Sequence, residues 1–163
     1  SSAASDVYKR QSTDNMKCIV QRVSGAEITI NGSFSGKIGK GIVVLCGFTE
    51  GDDLNTVSYC VDKIASLRIF EDENGKMNKN LIDTEGNVMV VSNFTLYGDT
   101  AHGRRPSFDR AAKPAVSKPL YDETVNAFRK YFPELVTGEF GADMRISCTL
   151  DGPVTLTVEK ENE

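Results

Sequence analysis

Alternating and continuous apolar runs dominate the first part of the chain and predict a β-rich start. Residues 18–23 form a patterned apolar run, and residues 26–30 alternate with the period of two that a half-buried strand shows. Asn31-Gly32 follows, a strong signal for a tight hairpin, and residues 34–38 return from it. Residues 41–48 are almost continuously apolar, as in a strand buried on both faces. We therefore expect a β-meander at the start of the fold.

Two stretches show helical spacing instead. Residues 52–67 place apolar side chains at steps of three and four, and Asp52 and Asp53 stand where the N-terminal helix dipole favours negative charge. A second helix is predicted from about Pro119, with Pro133 as its stop.

The remaining pattern completes a mixed α and β architecture. Residues 87–92 form another buried strand, and strands are predicted near residues 135–140, 143–150 and 154–159. Residues 98–116 are rich in Gly, Pro, Arg and Asp, and loops of this length in a compact domain are functional or disordered. We predict an α+β fold with a curved, barrel-like, mostly antiparallel sheet and two main helices packed outside.

Length and charge limit the possible classes of protein. The 163 residues fit one domain, which we place at residues 16–163. Residues 1–15 are Ser-rich and polar, and we expect a disordered extension, a leader or an expression remnant there. No apolar run approaches the roughly 20 residues that span a bilayer, so we expect a soluble protein without membrane contact. The formal charge of −4 restricts any nucleic-acid contact to a local patch.

The cysteines indicate a reducing compartment. Cys18, Cys46, Cys60 and Cys148 stand far apart, show no C-x-x-C spacing and lie mostly in apolar runs. We therefore expect buried free thiols and a cytoplasmic location. With a single histidine and no cysteine pair, we expect no metal site and no cofactor.

Two short segments carry most of the candidate chemistry. Residues 92–97 and 151–155 each look like a strand end that opens into a tight polar loop, and neither contains a conventional nucleophile–base pair. Gly152 lets another molecule approach the main chain closely, while Pro153 removes a donor and permits a cis bond before it. These features favour a site built largely from backbone.

Several segments occur in an order and at intervals that resemble one enzyme family. They are residues 20–23, 67–72, 75–78, 92–97, 103–108, 138–144 and 152–155. A lone G-P-x-T would carry no weight, but this set extends from Met16 to about Val158. The chain resembles the D-aminoacyl-tRNA deacylases, also called D-tyrosyl-tRNA deacylases.

The resemblance implies a homodimeric, barrel-like enzyme that hydrolyses the ester between a D-amino acid, or glycine, and the 3′ end of tRNA. Such an enzyme proofreads chirality in translation. The implied site lies at the dimer interface, where Gly152-Pro153 of one subunit enters the pocket of the other and acts as the chirality filter. The residues matched to the catalytic pocket are Ser92, Asn93, Phe94 and Thr95.

Three further residues acquire supporting roles through the resemblance. Arg22 matches an arginine that fixes the Gly-Pro loop, Met144 matches a residue near the pocket, and Phe140 is expected to contact the terminal adenine together with Phe94. The basic loop is a separate expectation, because Arg104 and Arg105 are the best phosphate contacts of the chain.

The chemistry demands little of the side chains. Aminoacyl esters are labile, so orientation and main-chain N–H donors can supply much of the acceleration. Thr95 can offer its hydroxyl or its N–H to the scissile carbonyl, and a covalent role is disfavoured because no base accompanies it. The resemblance suggests that the terminal 2′-hydroxyl of the tRNA takes part instead.

Two positions depart from the family's usual pattern. Asn93 replaces a glutamine, and Leu150 replaces an asparagine two residues before the Gly-Pro pair. Two alternatives stay open, the first of them because of these changes. One is a deacylase of relaxed specificity that edits a mischarged small L-aminoacyl-tRNA, and the other is a non-catalytic nucleic-acid-binding module on the same fold.

Overall fold

The structure is a computed structural model that describes residues 15–161. The expectation for residues 1–15 therefore lies, apart from Asn15, outside the described residues. The strands are β1 (Lys17–Ile30), β2 (Ser33–Ile38), β3 (Gly41–Gly47), β4 (Phe70–Glu71), β5 (Met77–Lys79), β6 (Asn87–Ser92), β7 (Val136–Thr137) and β8 (Met144–Glu159). The helices are α1 (Leu54–Ser66) and α2 (Pro114–Tyr131), and a 3₁₀ turn spans Phe94–Tyr97. In the part of the chain that the structure describes, no helix is both long and apolar enough to cross a membrane.

The long strand β1 organises the main sheet. Its first half pairs with β3, its second half pairs with β2, and β8 runs antiparallel along its other edge. β6 pairs parallel with β3, and β7 pairs parallel with β6. The sheet is therefore mixed, because crossovers containing α1 and α2 return the chain in the same direction. β2 also packs across β7, since a Cβ added at Gly36 would lie 2.8 Å from Val136 Cγ1, and the sheet curls nearly closed. The predicted barrel-like α+β fold with two helices is confirmed.

Residue alternation along the strands separates two apolar cores. Val44 and its neighbours on one face of β3 pack under the two helices, against side chains such as Ile64 and Phe128. Val43 points to the other face and packs inside the curled sheet with Ile28. A strand buried on both faces was predicted for β3, and its burial confirms this.

The first helix agrees with the sequence analysis, and the second begins earlier than predicted. Asp53 caps α1 through a reciprocal pair of hydrogen bonds with Thr56. α2 begins at Pro114, so the expected start at Pro119 is wrong, and Pro119 lies inside the helix. Proline is favoured in the first helical turn, where its missing N–H costs nothing, and Pro114 occupies that position.

The last strand also differs from the prediction. Residues 143–150 and 154–159 form a single strand, β8, which continues through Gly152-Pro153. The predicted strand at 135–140 shortens to β7. Because β8 pairs with β1 on one edge only, much of it faces solvent.

Three of the four cysteines are buried free thiols, as expected, but Cys148 is exposed on β8. The prediction for Cys148 is wrong because apolar neighbours in sequence do not bury an edge strand. Cys18 Sγ lies 3.9 Å from Cys46 Sγ. This hydrogen bond, together with burial, raises the pKa of the Cys18 thiol.

Candidate active site

A pocket of about 570 Å³ opens where the parallel strands β3 and β6 end. The carboxyl ends of neighbouring parallel strands are a common place for ligand sites. Five of the residues proposed from the sequence line this pocket: Ser92, Asn93, Phe94, Phe140 and Met144. The structure thus brings together segments that are separated by more than forty residues of sequence.

Asn93 shapes the turn that borders the pocket. Its main-chain N–H donates to the Cys46 carbonyl at 2.7 Å, which fixes it to the end of β3. Its side-chain Oδ1 accepts from the Thr95 N–H at 3.1 Å and from the Thr95 hydroxyl at 2.5 Å. Gly47 permits this close packing, because a Cβ there would lie 3.0 Å from the Asn93 carbonyl oxygen and 3.1 Å from the Tyr97 ring. Asn93 therefore acts as the cap of the 3₁₀ turn.

Thr95 is held by the same cap. Its side chain is exposed, but both donors that the sequence analysis offered to a substrate, the hydroxyl and the N–H, are directed to Asn93. The Phe94 N–H is the first of the turn and has no partner within it. The structure thus leaves Phe94, rather than Thr95, with a main-chain donor that the turn itself does not use.

Phe108 is a pocket residue to which the sequence analysis assigned no role. Its ring meets the Phe94 ring edge-on, with centroids 5.1 Å apart and an interplanar angle of 74°. Phe94 is 58% exposed and stands at the mouth of the pocket. The resemblance segment at residues 103–108 contained Phe108, but only the folded loop shows that it supports Phe94.

The basic loop lies next to this aromatic pair. Asp99 and Ser107 exchange two main-chain hydrogen bonds of 2.7 and 2.9 Å, which close the loop between them. Arg104 and Arg105 are exposed within it. Two exposed cations therefore stand on the loop that precedes Phe108.

Gly152 and Pro153 lie in a bulge of β8, and the bond between them is cis. Leu150 pairs with Val23 and Thr155 pairs with Gln21, so residues 151–154 lie opposite Arg22 alone. Both Gly152 and Pro153 are exposed. The bulge therefore leaves the Gly-Pro pair accessible from solvent.

Arg22 is the buried support of this bulge. Its side chain is 7% exposed, and its Nε donates to the Asp151 carbonyl at 3.1 Å and lies 3.4 Å from the Asp151 carboxylate. Its Nη1 donates to the Ile69 carbonyl at 2.7 Å. Arg22 therefore ties the bulge to the segment before β4, so the missing family asparagine at Leu150 does not leave the loop unsupported.

The Gly-Pro pair does not line the pocket of its own chain. Arg22 lies five residues along β1 from Lys17, which pairs with the pocket residue Gly47. At about 3.3 Å per residue, this separation is roughly 17 Å along the strand. One chain therefore presents the pocket and the Gly-Pro pair at separate places.

Replacing Asn93 by alanine is expected to lower the free energy of unfolding by about 1 kcal/mol, because the turn loses its cap. The uncapped turn also no longer fixes the Phe94 N–H at the pocket, so turnover there falls. Asn93→Asp keeps an acceptor oxygen at the same reach and serves as the control. Urea unfolding and ester hydrolysis measure the two effects, and a loss of equal size in Asn93→Asp would argue against the cap.

The fold and pocket define a barrel-like α+β protein with a largely apolar pocket at the ends of two parallel strands, and comparison with known proteins places it in a family. Residues 19–159 match the family model described as D-Tyr-tRNA(Tyr) deacylase. A D-aminoacyl-tRNA deacylase of Thermosipho africanus is 47% identical over 146 residues, covering 90% of this chain and 98% of the relative. The chain belongs to the D-Tyr-tRNA(Tyr) deacylase family, which confirms the resemblance seen in the sequence.

Solved structures show the same fold. One described as c-Myc DNA Unwinding Element Binding Protein is 37% identical, with a TM-score of 0.83 over 88% of this chain and 98% of that one. Another, described as a probable eukaryotic D-amino acid tRNA deacylase, is 16% identical, with a TM-score of 0.77 over 90% of this chain and 100% of that one.

Proposed function

We propose that this protein hydrolyses the ester bond of D-aminoacyl-tRNA and of glycyl-tRNA, releasing the free amino acid and tRNA. The observation that carries the proposal is the pocket at the end of β6, bordered by Ser92, Asn93 and Phe94 in a chain of this family. The tRNA is the substrate, and its aminoacylated 3′ end occupies this pocket.

The lining of the pocket suits catalysis by orientation. Among its described lining residues there is no His, Asp, Glu, Lys or Arg, so none supplies a conventional general base. An aminoacyl ester is labile, and a main-chain donor such as the Phe94 N–H can stabilise the oxygen that becomes negative in the transition state. The terminal 2′-hydroxyl of the tRNA then assists the attack of water. Phe94 and Phe140 hold the adenine on the apolar walls.

The active form is a homodimer in which each pocket is completed by the other subunit. Gly152-Pro153 is exposed and lies roughly 17 Å along the strand from its own pocket, so a second copy can present it to the ester. The Gly152 carbonyl accepts from the α-ammonium of the amino acid. The side chain of an L-amino acid then points into the main chain of the Gly-Pro pair and clashes with it, while the side chain of a D-amino acid points outward. Glycine has no side chain, so it is not excluded.

The decisive assay compares D- and L-aminoacyl-tRNA carrying the same amino acid. Hydrolysis of the D-isomer with little hydrolysis of the L-isomer is the expected result. Equal hydrolysis of both, or of neither, contradicts the proposal. L-alanyl-tRNA is included because the alternative of a relaxed editing enzyme requires its rapid hydrolysis.

A second candidate function is nucleic-acid binding without catalysis. It is favoured by one observation, the 37% identity to the structure described as a DNA unwinding element binding protein. The same protein preparation distinguishes the two, because a binding module retains DNA affinity with a steep salt dependence but does not cleave the ester. The formal charge of −4 favours the deacylase.

Replacing Arg104 and Arg105 together by alanine is expected to weaken tRNA binding and to reduce the slope of log K against log salt. Each lost phosphate contact removes about 0.7 from the slope for a single strand. The matched control is Arg129→Ala with Lys130→Ala, which removes the same charge from exposed positions on α2. Equal slopes in the two double variants would remove the basic loop from the tRNA contact.

The proposal also covers the domain organisation and the location of the reaction. We assign residues 16–163 to a single deacylase domain, because in the part of the chain that the structure describes both helices and the six-stranded sheet pack around two adjoining cores. The reaction takes place in the cytoplasm, in keeping with free thiols at all four cysteines.

A further inference from the structure

A second pocket of about 520 Å³ lies beside the first, between α2 and residues 137–140. Phe140 lines both pockets and forms the wall between them. Along α2, Ser117 belongs to the first pocket and Tyr121 to the second. Four residues of helix cover about 6 Å, a step that one nucleotide can span. The two pockets therefore follow one another along a single groove.

The second pocket combines an apolar floor with a polar rim. Tyr121 and Val125 are 4% and 9% exposed and form the floor. The Tyr121 hydroxyl donates to the Val90 carbonyl at 2.8 Å, which fixes the ring against the sheet. Exposed Asp122 and Glu139 lie on the rim. A flat ring can thus pack on the floor and Phe140 while its edge meets the carboxylates.

We propose that this second pocket binds the nucleobase that precedes the terminal adenosine, which is cytosine in the CCA end of tRNA. The proposal rests on the proposed function, because it requires the adenosine in the first pocket. Phe140 then packs against both bases, as aromatic side chains do along single strands. The cytosine amino group donates to Asp122 or Glu139, the pairing that carboxylates make with this base.

Lys118 is placed to contact the phosphate between the two nucleotides. It follows Ser117 of the first pocket directly and lines the second. Its Nζ lies 3.1 Å from the Asp122 carboxylate, so the ammonium also orients one of the groups that meet the base. A linking phosphate beside Lys118 contributes position, whereas the carboxylates contribute base identity.

The test compares three esters of one D-amino acid: on adenosine, on the dinucleotide CpA and on UpA. We expect kcat/KM for the CpA ester to exceed that of the adenosine ester roughly 10-fold, within the range that one stacked base supplies. The UpA ester should lose most of this gain, because uracil presents a carbonyl where cytosine has its amino group.

The double variant Asp122→Asn, Glu139→Gln should hydrolyse the adenosine ester at the wild-type rate but no longer prefer CpA over UpA. Glu123→Gln, an exposed α2 residue outside the pocket lining, should retain the preference. Equal kcat/KM for the adenosine and CpA esters would show that the second pocket binds no base, while the proposed hydrolysis itself would stand. A preference for CpA that survives the double variant would overturn the role of the carboxylates, and no hydrolysis of any ester would contradict the proposed function itself.

Discussion

Replacing Gly152 by alanine is expected to lower kcat/KM on D-aminoacyl-tRNA by about 100-fold, the loss that a displacement of about 1 Å causes in a reacting group. Gly152 has φ 118°, a conformation that an L side chain rarely adopts. A Cβ there would also lie 3.1 Å from Arg22 Nη2 and 3.1 Å from Val154 Cγ2. The main chain must therefore shift, and the Gly152 carbonyl leaves the position in which we propose that it meets the substrate. Steady-state kinetics measure the loss.

The matched control is Gly75→Ala, because Gly75 has φ 76° but no atom within 4 Å of an added Cβ. Gly75→Ala imposes the same strain of a positive φ on an alanine, but away from both the pocket and the Gly-Pro pair. This variant should therefore retain activity. Mixing Gly152→Ala subunits with Phe94→Ala subunits extends the test to the dimer. A heterodimer then contains one site with an intact pocket and an intact Gly-Pro pair, so activity should return. Wild-type kinetics in Gly152→Ala, or no recovery on mixing under conditions that exchange subunits, would contradict the shared site.

Local patterns were sufficient to predict most of the elements. The hairpin at Asn31-Gly32 and the helix after Asp53 follow from turn chemistry and apolar spacing that a few neighbouring residues define. The predicted start of α2 was wrong because Pro114 and Pro119 both suit the first turn of a helix. Packing of the chain before Pro119 decides between them. The prediction that Cys148 is buried was wrong because the burial of β8 depends on what lies beyond its free edge. No local sequence pattern contains that information.

The candidate site was predictable in its residues but not in its arrangement. The resemblance selected Ser92, Phe94 and Phe140, and the structure places them around one pocket. The cap that Asn93 provides to Thr95 depends on rotamers and on the approach of β3. Phe108 was assigned no role because its contact with Phe94 depends on closure of the loop between them. Long-range packing therefore determines which donors and surfaces reach a substrate.

Arg22 connects stability to the geometry of the Gly-Pro bulge. It is a buried arginine whose hydrogen bonds satisfy the carbonyls of Ile69 and Asp151, two segments that are far apart in sequence. A buried carbonyl that loses its partner costs about 1–3 kcal/mol. The same side chain therefore stabilises the fold and fixes the bulge that carries the proposed chirality filter.

Replacing Arg22 by methionine is expected to lower the free energy of unfolding by about 2–4 kcal/mol, because the apolar stem remains but both carbonyls lose their donor. Arg68→Met is the matched control, since Arg68 donates to the Asn78 carbonyl at 2.9 Å and to the Asn78 side chain at 3.0 Å at an exposed site. Water replaces those bonds, so Arg68→Met should lower the free energy of unfolding by only about 0.5 kcal/mol. Urea unfolding measures the stability of both variants. The ratio of hydrolysis rates for D- and L-aminoacyl-tRNA is measured at urea concentrations below the unfolding transition. Equal destabilisation of the two variants, or unchanged selectivity in Arg22→Met, would show that burial of Arg22 does not hold the bulge.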